Sequence, residues 1–305
     1  MARVLSTSEG THRGAFAPID WALFLAIGAI WGSSFVLISI GLEAFEPGLV
    51  TWLRILAGAA ALWFVPGARV PMSREDRPRL LAVSFLWVAI PFTLFPLAQQ
   101  HVNSAVAGMI NGSLPVMAVF IGCVMLRRFP TLPLLAGLAL GATGVAAIAI
   151  STASEGSSEA LGVLLLLIAV LCYGVAINIA APLQQRYGSV PAMARMLALA
   201  AVWTAPFGLV SVPASSFSWA SLGAVLLLGA AGTGLAFVIM GRLIARVGSS
   251  RASFATFLVP VVALVLGVVL RSEEVAVVAV AGVAMVIAGA VLASRADRVA
   301  KVSPS

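Results

Sequence analysis

The stretch SAVAGMINGSLPVMAVFIGCVMLRRF (Ser104–Phe129) decides the fold, because SSRASFATFLVPVVALVLGVVLRSEE (Ser249–Glu274) repeats its pattern. Four residues of the first half have identical partners at an ungapped offset of 145 residues: Pro115 and Pro260, Gly122 and Gly267, Gly137 and Gly282, and Gly144 and Gly289. Four coincidences in one register, each inside an apolar run, indicate an internal duplication. Each copy predicts an apolar helix interrupted by proline, followed by a glycine-rich helix. Paired broken segments of this kind point to a central binding site between the halves of a membrane protein.

The composition requires a lipid environment. Hydrophobic residues make up 61% of the 305 residues and charged residues only 10%, whereas a soluble domain carries about 25% charged residues. The chain has too few polar side chains to cover itself against water, so we predict that the lipid bilayer surrounds it. The net charge of +7 comes from arginines scattered through short loops, so no nucleic-acid partner is expected. Cys123 and Cys172 lie in apolar runs without a metal-binding motif, and no cofactor or metal is expected.

The apolar runs predict an all-α polytopic membrane protein of ten transmembrane helices in two inverted five-helix repeats. Crossing a bilayer core takes roughly 20 helical residues. Ten segments meet that length: 19–40, 48–66, 80–100, 105–126, 132–151, 161–183, 192–212, 219–240, 252–270 and 275–294. The corresponding units are a cytoplasmic tail (1–18), a first repeat (19–151), an outer linker (152–160), a second repeat (161–294) and a cytoplasmic tail (295–305).

The positions of Lys and Arg predict the orientation. Sixteen of the 18 basic residues fall in the tails and in alternate connections. Because cytoplasmic loops carry the Lys and Arg excess, we expect both termini in the cytoplasm and the chain in the cell inner (plasma) membrane. Five spans per repeat make the second copy enter from the opposite side, which inverts it. Arg128 on the inner side then corresponds to Glu273 on the outer side, as the orientation rule favours.

The two prolines single out the predicted fourth and ninth helices. Proline removes a backbone donor and frees a carbonyl about one turn earlier, and in hydrocarbon that carbonyl must face protein or a water-filled cavity. Asn111 and Thr256 stand one turn before Pro115 and Pro260. They are candidates to line a central cavity, or alternatively to bond a neighbouring helix. Pro115 and Pro260 themselves are candidate hinges.

Aromatic residues next to polar ones supply most of the other candidates. An aromatic–glycine step occurs in AIWGSSF (29–35) and again in LCYGVAIN (171–178). Aromatic rings beside polar groups suit the wall of an organic-solute site, although aromatic residues are also common in helix packing. The candidate substrate-binding residues chosen on this basis are Trp31, Ser34, Trp87, Phe95, Tyr173, Asn178, Thr233 and Phe237.

Arg54 is the only charged residue well inside a predicted span, and it completes the set of candidate substrate-binding residues. Ionisable residues at this depth usually face the bundle interior or a polar cavity. Its partner could be a substrate anion, backbone carbonyls, or Glu43 or Glu46. All eleven acids lie in tails, loops or helix ends. A proton relay or a site for cationic drugs would need a buried acid, so neutral, zwitterionic or anionic solutes are expected.

Three segments, together with the repeated Pro…Gly…Gly pattern, resemble the EamA branch of the drug/metabolite transporter superfamily over about residues 19–294: AIWGSSFVLIS (29–39), TWLRILAGAAAL (51–62) and QQHVNSAVAGMINGSLPV (99–116). The resemblance implies a central cavity walled mainly by helices 1, 3, 4, 6, 8 and 9. It also implies movement of small metabolites, often amino-acid export, by facilitated exchange or proton coupling. Many members carry a Gly-Glu step after the fourth helix, where this chain has Arg127–Arg128.

These observations favour a secondary transporter that exports or exchanges a small-molecule solute by alternating access. A membrane-embedded enzyme acting on lipid or peptide is the alternative from another class. It would need a clustered nucleophile, base or metal set, and the sequence has no paired intramembrane Asp, GxSG motif or His cluster. A non-transporting membrane sensor is the third hypothesis. Gly137, Gly141 and Gly144 have small-xxx-small spacing, which permits close helix packing within a chain or in a homodimer.

Overall fold

The computed structural model describes residues 15–125, 127 and 129–302, except for the side chains of 249, 250 and 294–302. In that part of the chain every regular element is helical, as predicted for an all-α polytopic membrane protein. The ten spans are α1 (Pro18–Leu42), α2 (Pro47–Trp63), α3 (Arg74–Ala98), α4 (Ser104–Met125), α5 (Leu132–Ala153), α6 (Ser157–Tyr187), α7 (Ser189–Ser211), α8 (Trp219–Val247), α9 (Ser253–Arg271) and α10 (Val277–Val302).

Within the part of the chain that the structure describes, eight of the ten spans are long and apolar enough to cross a membrane, and two apolar stretches are shorter, namely α2 and Val277–Ala293 of α10. Several helices exceed the predicted spans: α10 continues through the predicted tail to Val302, and only 154–156 separate α5 from α6. Apolar length predicts the part of a helix in hydrocarbon, whereas polar helix formers extend the helix beyond it. Arg128 and the predicted tail residues 1–14 and 303–305 lie outside the described residues.

The two ends of the bundle differ in charge. We call one the arginine end, formed by the 64–73 connection, Gly188, Gly248 and the helix termini beside them, with Arg69, Arg186, Arg195 and Arg246. The opposite end, called the glutamate end, is formed by the connections 43–46, 99–103, 154–156, 212–218 and 272–276, with Glu43, Glu46, Glu155, Glu273 and Glu274.

α5 and α10 pack through glycines in a way that demonstrates the inverted repeat. A Cβ atom built on Gly137 would lie 2.7 Å from the carbonyl oxygen of Gly289, and one on Gly144 would lie 2.5 Å from that of Gly282. Gly137 therefore contacts Gly289, the counterpart of Gly144, and Gly144 contacts Gly282, the counterpart of Gly137. The two helices run antiparallel. Reciprocal contacts of this kind are the signature of a two-fold relation. Because these glycines pack α5 against α10 of the same chain, their spacing is not evidence for a homodimer.

The first helix of each repeat packs on the broken helix of the other repeat. In α1, a Cβ on Gly32 would lie 2.5 Å from the Cβ of Val262 in α9. In α6, a Cβ on Gly174 would lie 3.0 Å from the Cγ of Met117 in α4, the counterpart of Val262. The glycine of each aromatic–glycine step thus permits close helix packing, while the preceding aromatic residue is free to face elsewhere.

Two π-helical segments repeat at the same offset. Ser84–Ala89 in α3 and Leu228–Leu235 in α8 are π-helical, and an offset of 145 places the first inside the second. Nothing in the sequence predicted them. π-Helical segments are rare and occur frequently at functional sites, so their repetition singles out the middle of α3 and of α8.

Both predicted helix interruptions are present just before the prolines. The α-helical parts of α4 are Ser104–Asn111 and Leu114–Met125, which leaves a turn at Gly112 and Ser113. In α9, a 3₁₀ segment over Ser253–Phe257 precedes the α-helix. The interruptions arise because each proline lacks a backbone N–H donor. In α4 the preceding Gly112 also favours a break in the helix.

The two broken helices are packed unequally. Every residue from Ser104 to Ile110 is buried, and Gly108 lies against the side chain of Ala263 in α9. In the counterpart of this half, Ala252 and Ala255 are buried, but Ser253 is exposed and Phe254 is partly exposed. The bundle is therefore tightly closed between α4 and α9 at the glutamate end and looser at the arginine end.

Candidate functional site

Three aromatic rings from three helices meet inside the bundle, and we call them the aromatic cluster: Trp31 of α1, Trp87 of α3 and Phe237 of α8. The ring centroids of Trp31 and Phe237 are 5.8 Å apart, and those of Trp87 and Phe237 are 6.3 Å apart, both edge to face. Each ring remains partly exposed. Trp87 belongs to one π-helical segment, and Phe237 lies two residues after the other. The cluster is therefore next to the backbone irregularity that the two repeats share.

Phe95 and Tyr173, which were also predicted, form a second, more deeply buried group with Phe35. Ring centroids of Phe35 and Phe95 are 5.6 Å apart, and those of Phe95 and Tyr173 are 5.9 Å apart and stacked. Phe95 and Tyr173 are only 2% and 9% exposed. This group joins α1, α3 and α6 behind the aromatic cluster, because Phe35 lies one turn of α1 from Trp31.

Arg54 lies in the interior, 7% exposed, between α3 and α8. Its Nε donates to Oγ1 of Thr233 at 3.3 Å, and its Cζ lies 3.8 Å from the ring centroid of Phe92. Tyr173 is close enough to interact with it electrostatically. No ion pair among the described residues includes Arg54. Of the two acids considered as partners, Glu43 pairs with Arg271, and Glu46 makes no ion pair within the described chain.

The hydrogen bonds of Arg54 leave the terminal part of the guanidinium free. Within the described residues, Nη1 and Nη2 of Arg54 make no hydrogen bond. Neither atom is among the fully buried side-chain nitrogens that lack a hydrogen-bond partner. Both nitrogens therefore touch open space inside the bundle. Ser34, 5% exposed, borders the same region, because its Oγ would lie 3.2 Å from a Cβ on Gly232, next to Thr233.

Of the remaining polar candidates, Asn178 and Thr256 donate hydrogen bonds to backbone carbonyls. The amide nitrogen of Asn178 donates to the carbonyls of Ala118 at 2.9 Å and Gly174 at 2.8 Å, which ties α6 to α4. The hydroxyl of Thr256 donates to the carbonyl of Ser253 at 2.7 Å. Asn111 is partly buried at the last residue before the turn in α4. Asn178 therefore bonds both its own helix and a neighbouring one.

Sequence reasoning missed the role of Glu273. One carboxylate oxygen of Glu273 accepts hydrogen bonds from the backbone nitrogen of Ser104 at 2.9 Å and its hydroxyl at 2.7 Å. The other accepts from the backbone nitrogen of Ala105 at 2.8 Å. A carboxylate at a helix N-terminus satisfies unpaired donors and complements the helix dipole. Glu273 thereby joins the end of α9 to the start of α4 and closes the glutamate end.

Asp20 corrects one expectation about the acids. It lies at a helix end, as predicted, but it is completely buried, and Arg246 donates to it through Nε at 2.5 Å. The ion pair offsets the cost of burying the carboxylate, and it joins α1 to α8 at the arginine end. Within the described residues, no group of three or more His, Cys, Asp or Glu side chains could hold a metal ion.

Among the described residues, ten apolar helices form two inverted five-helix repeats, with partly exposed aromatic rings and an arginine between the repeats. This architecture is that of a membrane transporter. The match to a family model agrees: the EamA-like transporter family matches residues 20–150 and again 160–295. The chain belongs to this family, and the resemblance seen in the sequence is confirmed.

Curated relatives are named as transporters. The chain is 27% identical over 281 residues to the "Probable terminal-alkyne amino-acid exporter" of Streptantibioticus cattleyicolor, covering 90% of this chain and 93% of that protein. It is 24% identical over 272 residues to the "Uncharacterized transporter YoaV" of Bacillus subtilis, covering 87% and 93%. A shorter match, 33% over 128 residues and 40% of this chain and 39% of the relative, is to the "S-adenosylmethionine/S-adenosylhomocysteine transporter" of Chlamydia trachomatis.

A solved crystal structure shares the fold. It superposes with a TM-score of 0.62 at 18% sequence identity and covers 92% of this chain and 98% of its own. At this level of identity the likeness concerns the fold alone.

Proposed function

We propose that this transporter exports or exchanges small metabolites, such as amino acids or related neutral, zwitterionic or anionic solutes, by alternating access around one central site. The main observation in support of the proposal is that both repeats contribute residues to that site. Trp31, Arg54 and Trp87 come from the first repeat, and Thr233 and Phe237 come from the second. A site made by both repeats can stay assembled while the repeats rock and expose it to one side after the other.

The unequal packing of the broken helices supports alternating access. Closure between α4 and α9 at the glutamate end and looser packing at the arginine end describe one of two related arrangements. In inverted repeats the other arrangement follows when each repeat adopts the packing of its counterpart. Pro115 and Pro260 mark the segments of α4 and α9 that would deform during this exchange.

The direction of transport rests on the predicted orientation. With both termini in the cytoplasm and the chain in the inner membrane, the arginine end faces the cytoplasm, and the looser side of the site would receive solute there. The relative named as an amino-acid exporter favours the same direction. Partners are then the solute and the surrounding lipid bilayer.

The proposal is tested by flux through sealed vesicles. Purified protein in proteoliposomes is assayed for uptake and counterflow of a metabolite panel that includes the amino acids, with and without a pH gradient. We expect saturable counterflow of at least one amino acid or related solute above protein-free vesicles. Flux of every panel member at the protein-free level would refute the transport proposal, and turnover of solute by detergent-solubilised protein would favour an enzyme instead.

A further inference from the structure

We propose that Arg54 binds a carboxylate group of the transported solute, so that the site takes an organic carboxylate whose apolar part lies on the aromatic cluster. This inference rests on the proposed function and narrows its substrate class. It starts from a charge that the described protein leaves without a counter-ion.

The charge balance around Arg54 requires an anion. Arg54 is 7% exposed in a segment surrounded by apolar helices, where an uncompensated charge is costly. The acids nearest the two ends of the bundle are already engaged: Asp20 by Arg246, Glu43 by Arg271, and Glu273 by the start of α4. None of these carboxylates pairs with Arg54, so a bound anion would supply the missing charge.

The contacts of Arg54 fix its guanidinium in a geometry suited to a carboxylate. Thr233 holds the Nε edge, and the ring of Phe92 lies against one face at 3.8 Å. The free Nη1 and Nη2 form the outer edge of a planar fork. A carboxylate can accept two parallel hydrogen bonds from such a fork, and an arginine held in place loses little side-chain entropy on binding.

The same residues connect Arg54 to the aromatic cluster. Thr233, which bonds Arg54, precedes Phe237 by about one turn of α8, and the ring of Phe237 contacts those of Trp31 and Trp87. Residues one turn apart on a helix are roughly 6 Å apart. A solute with a carboxylate at one end and an aliphatic or aromatic group a few bonds away would therefore reach both parts of the site.

The inference is tested by comparing acids with their uncharged amides as ligands of the purified full-length protein. Thermal stabilisation in detergent is titrated with phenylalanine and phenylalaninamide, leucine and leucinamide, and 3-phenylpropionate and 3-phenylpropanamide. For wild-type protein we expect at least one acid to bind at least tenfold more tightly than its amide. Arg54→Gln should remove this preference, and Arg54→Lys, which retains the charge without the fork, should reduce it partially.

A matched control separates loss of the site from loss of an arginine. Arg69 also lies over an aromatic ring, that of Trp63 at 4.5 Å, but it is exposed at the arginine end. Arg69→Gln should therefore leave the acid preference within twofold of wild type. If Arg54→Gln does not fold, Thr233→Val, which removes the hydroxyl that holds Nε, provides the second variant and should weaken acid binding about threefold.

Three results would overturn the inference: wild-type protein that binds no acid of the panel, equal binding of acid and amide, or an unchanged acid preference in the Arg54 variants. Binding and flux are read separately. Acid-selective binding without counterflow in vesicles would contradict the proposed transport function while supporting the role of Arg54. Counterflow of acid and amide at the same rate would support the proposed transport function and contradict the role of Arg54.

Discussion

At the scale of single residues, two other helices hold the guanidinium of Arg54, through the ring of Phe92 in α3 and the hydroxyl of Thr233 in α8. A charge in an apolar span is visible in the sequence, and its burial follows from that context. Its contacts with Phe92 and Thr233 were not predicted, because they depend on how α2, α3 and α8 pack and lie far apart along the chain. Asn178 was predicted as a substrate-binding residue because it is a polar residue near an aromatic–glycine step, and that pattern does not distinguish a cavity from a helix contact.

The first prediction concerns Asn178. Asn178→Ala removes one hydrogen bond to Ala118 of α4 and one to Gly174 within α6. Each is worth about 1 kcal/mol. We expect a lower melting temperature in detergent and a half-saturation concentration for counterflow within twofold of wild type. A large rise in half-saturation without loss of thermal stability would instead assign Asn178 to the substrate site.

At the scale of helices, the proline pattern predicted the interruptions of α4 and α9, but no pattern predicted the π-helical segments. Proline acts through its own missing donor, so its effect is local and readable. A π-helical turn depends on packing against neighbouring helices, and the local sequences of the two segments do not show it. The segments Ser84–Ala89 and Leu228–Leu235, which hold Trp87 and Thr233, thus became visible only in the fold.

The contact between α5 and α10 supplies the second prediction. A Cβ on Gly144 would lie 2.5 Å from the carbonyl oxygen of Gly282, which is backbone and cannot move aside. Gly144→Ala should lower stability by about 1–3 kcal/mol, the usual cost of overpacking, measured as a fall in melting temperature. Gly223→Ala is the matched control, because no described atom lies within 4 Å of a Cβ there. Equal stability of the two variants would argue against the observed packing of α5 on α10.

The third prediction concerns the two prolines. Replacing Pro115 and Pro260 together by alanine restores two backbone donors and should straighten α4 and α9. The double variant is expected to fold with unchanged or higher thermal stability and to transport several-fold more slowly, because the broken helices could no longer deform. Counterflow at the wild-type rate in proteoliposomes would exclude a hinge role.

At the scale of the whole molecule, the inverted duplication was predictable and the unequal closure of the two ends was not. The duplication is encoded in residues that can be aligned, such as Gly137 with Gly282. Closure depends on a contact between repeats, in which Glu273 accepts three hydrogen bonds from the start of α4. Its counterpart Arg128, outside the described residues, has no acceptor group, so the two ends have different chemistry for closure.

The fourth prediction follows from this difference. Glu273→Gln replaces a charge-assisted cap of α4 by a neutral one, which should weaken closure of the glutamate end. A single cysteine at Ser34 should then react several-fold faster with a membrane-impermeant thiol reagent applied to that face. Glu274→Gln removes the same charge from an exposed neighbour and should leave the rate unchanged. Equal rates in both variants would exclude Glu273 as the closing contact.

We propose that two inverted repeats share one site and open it to the two faces in turn. The most direct measurement labels Ser34→Cys, in a chain lacking Cys123 and Cys172, from each face of oriented vesicles, before and after a short bis-maleimide joins Ser104→Cys to Glu273→Cys. The account predicts labelling from both faces before cross-linking and only from the arginine end afterwards, with transport abolished. Labelling from both faces after cross-linking, or from one face throughout, would contradict it.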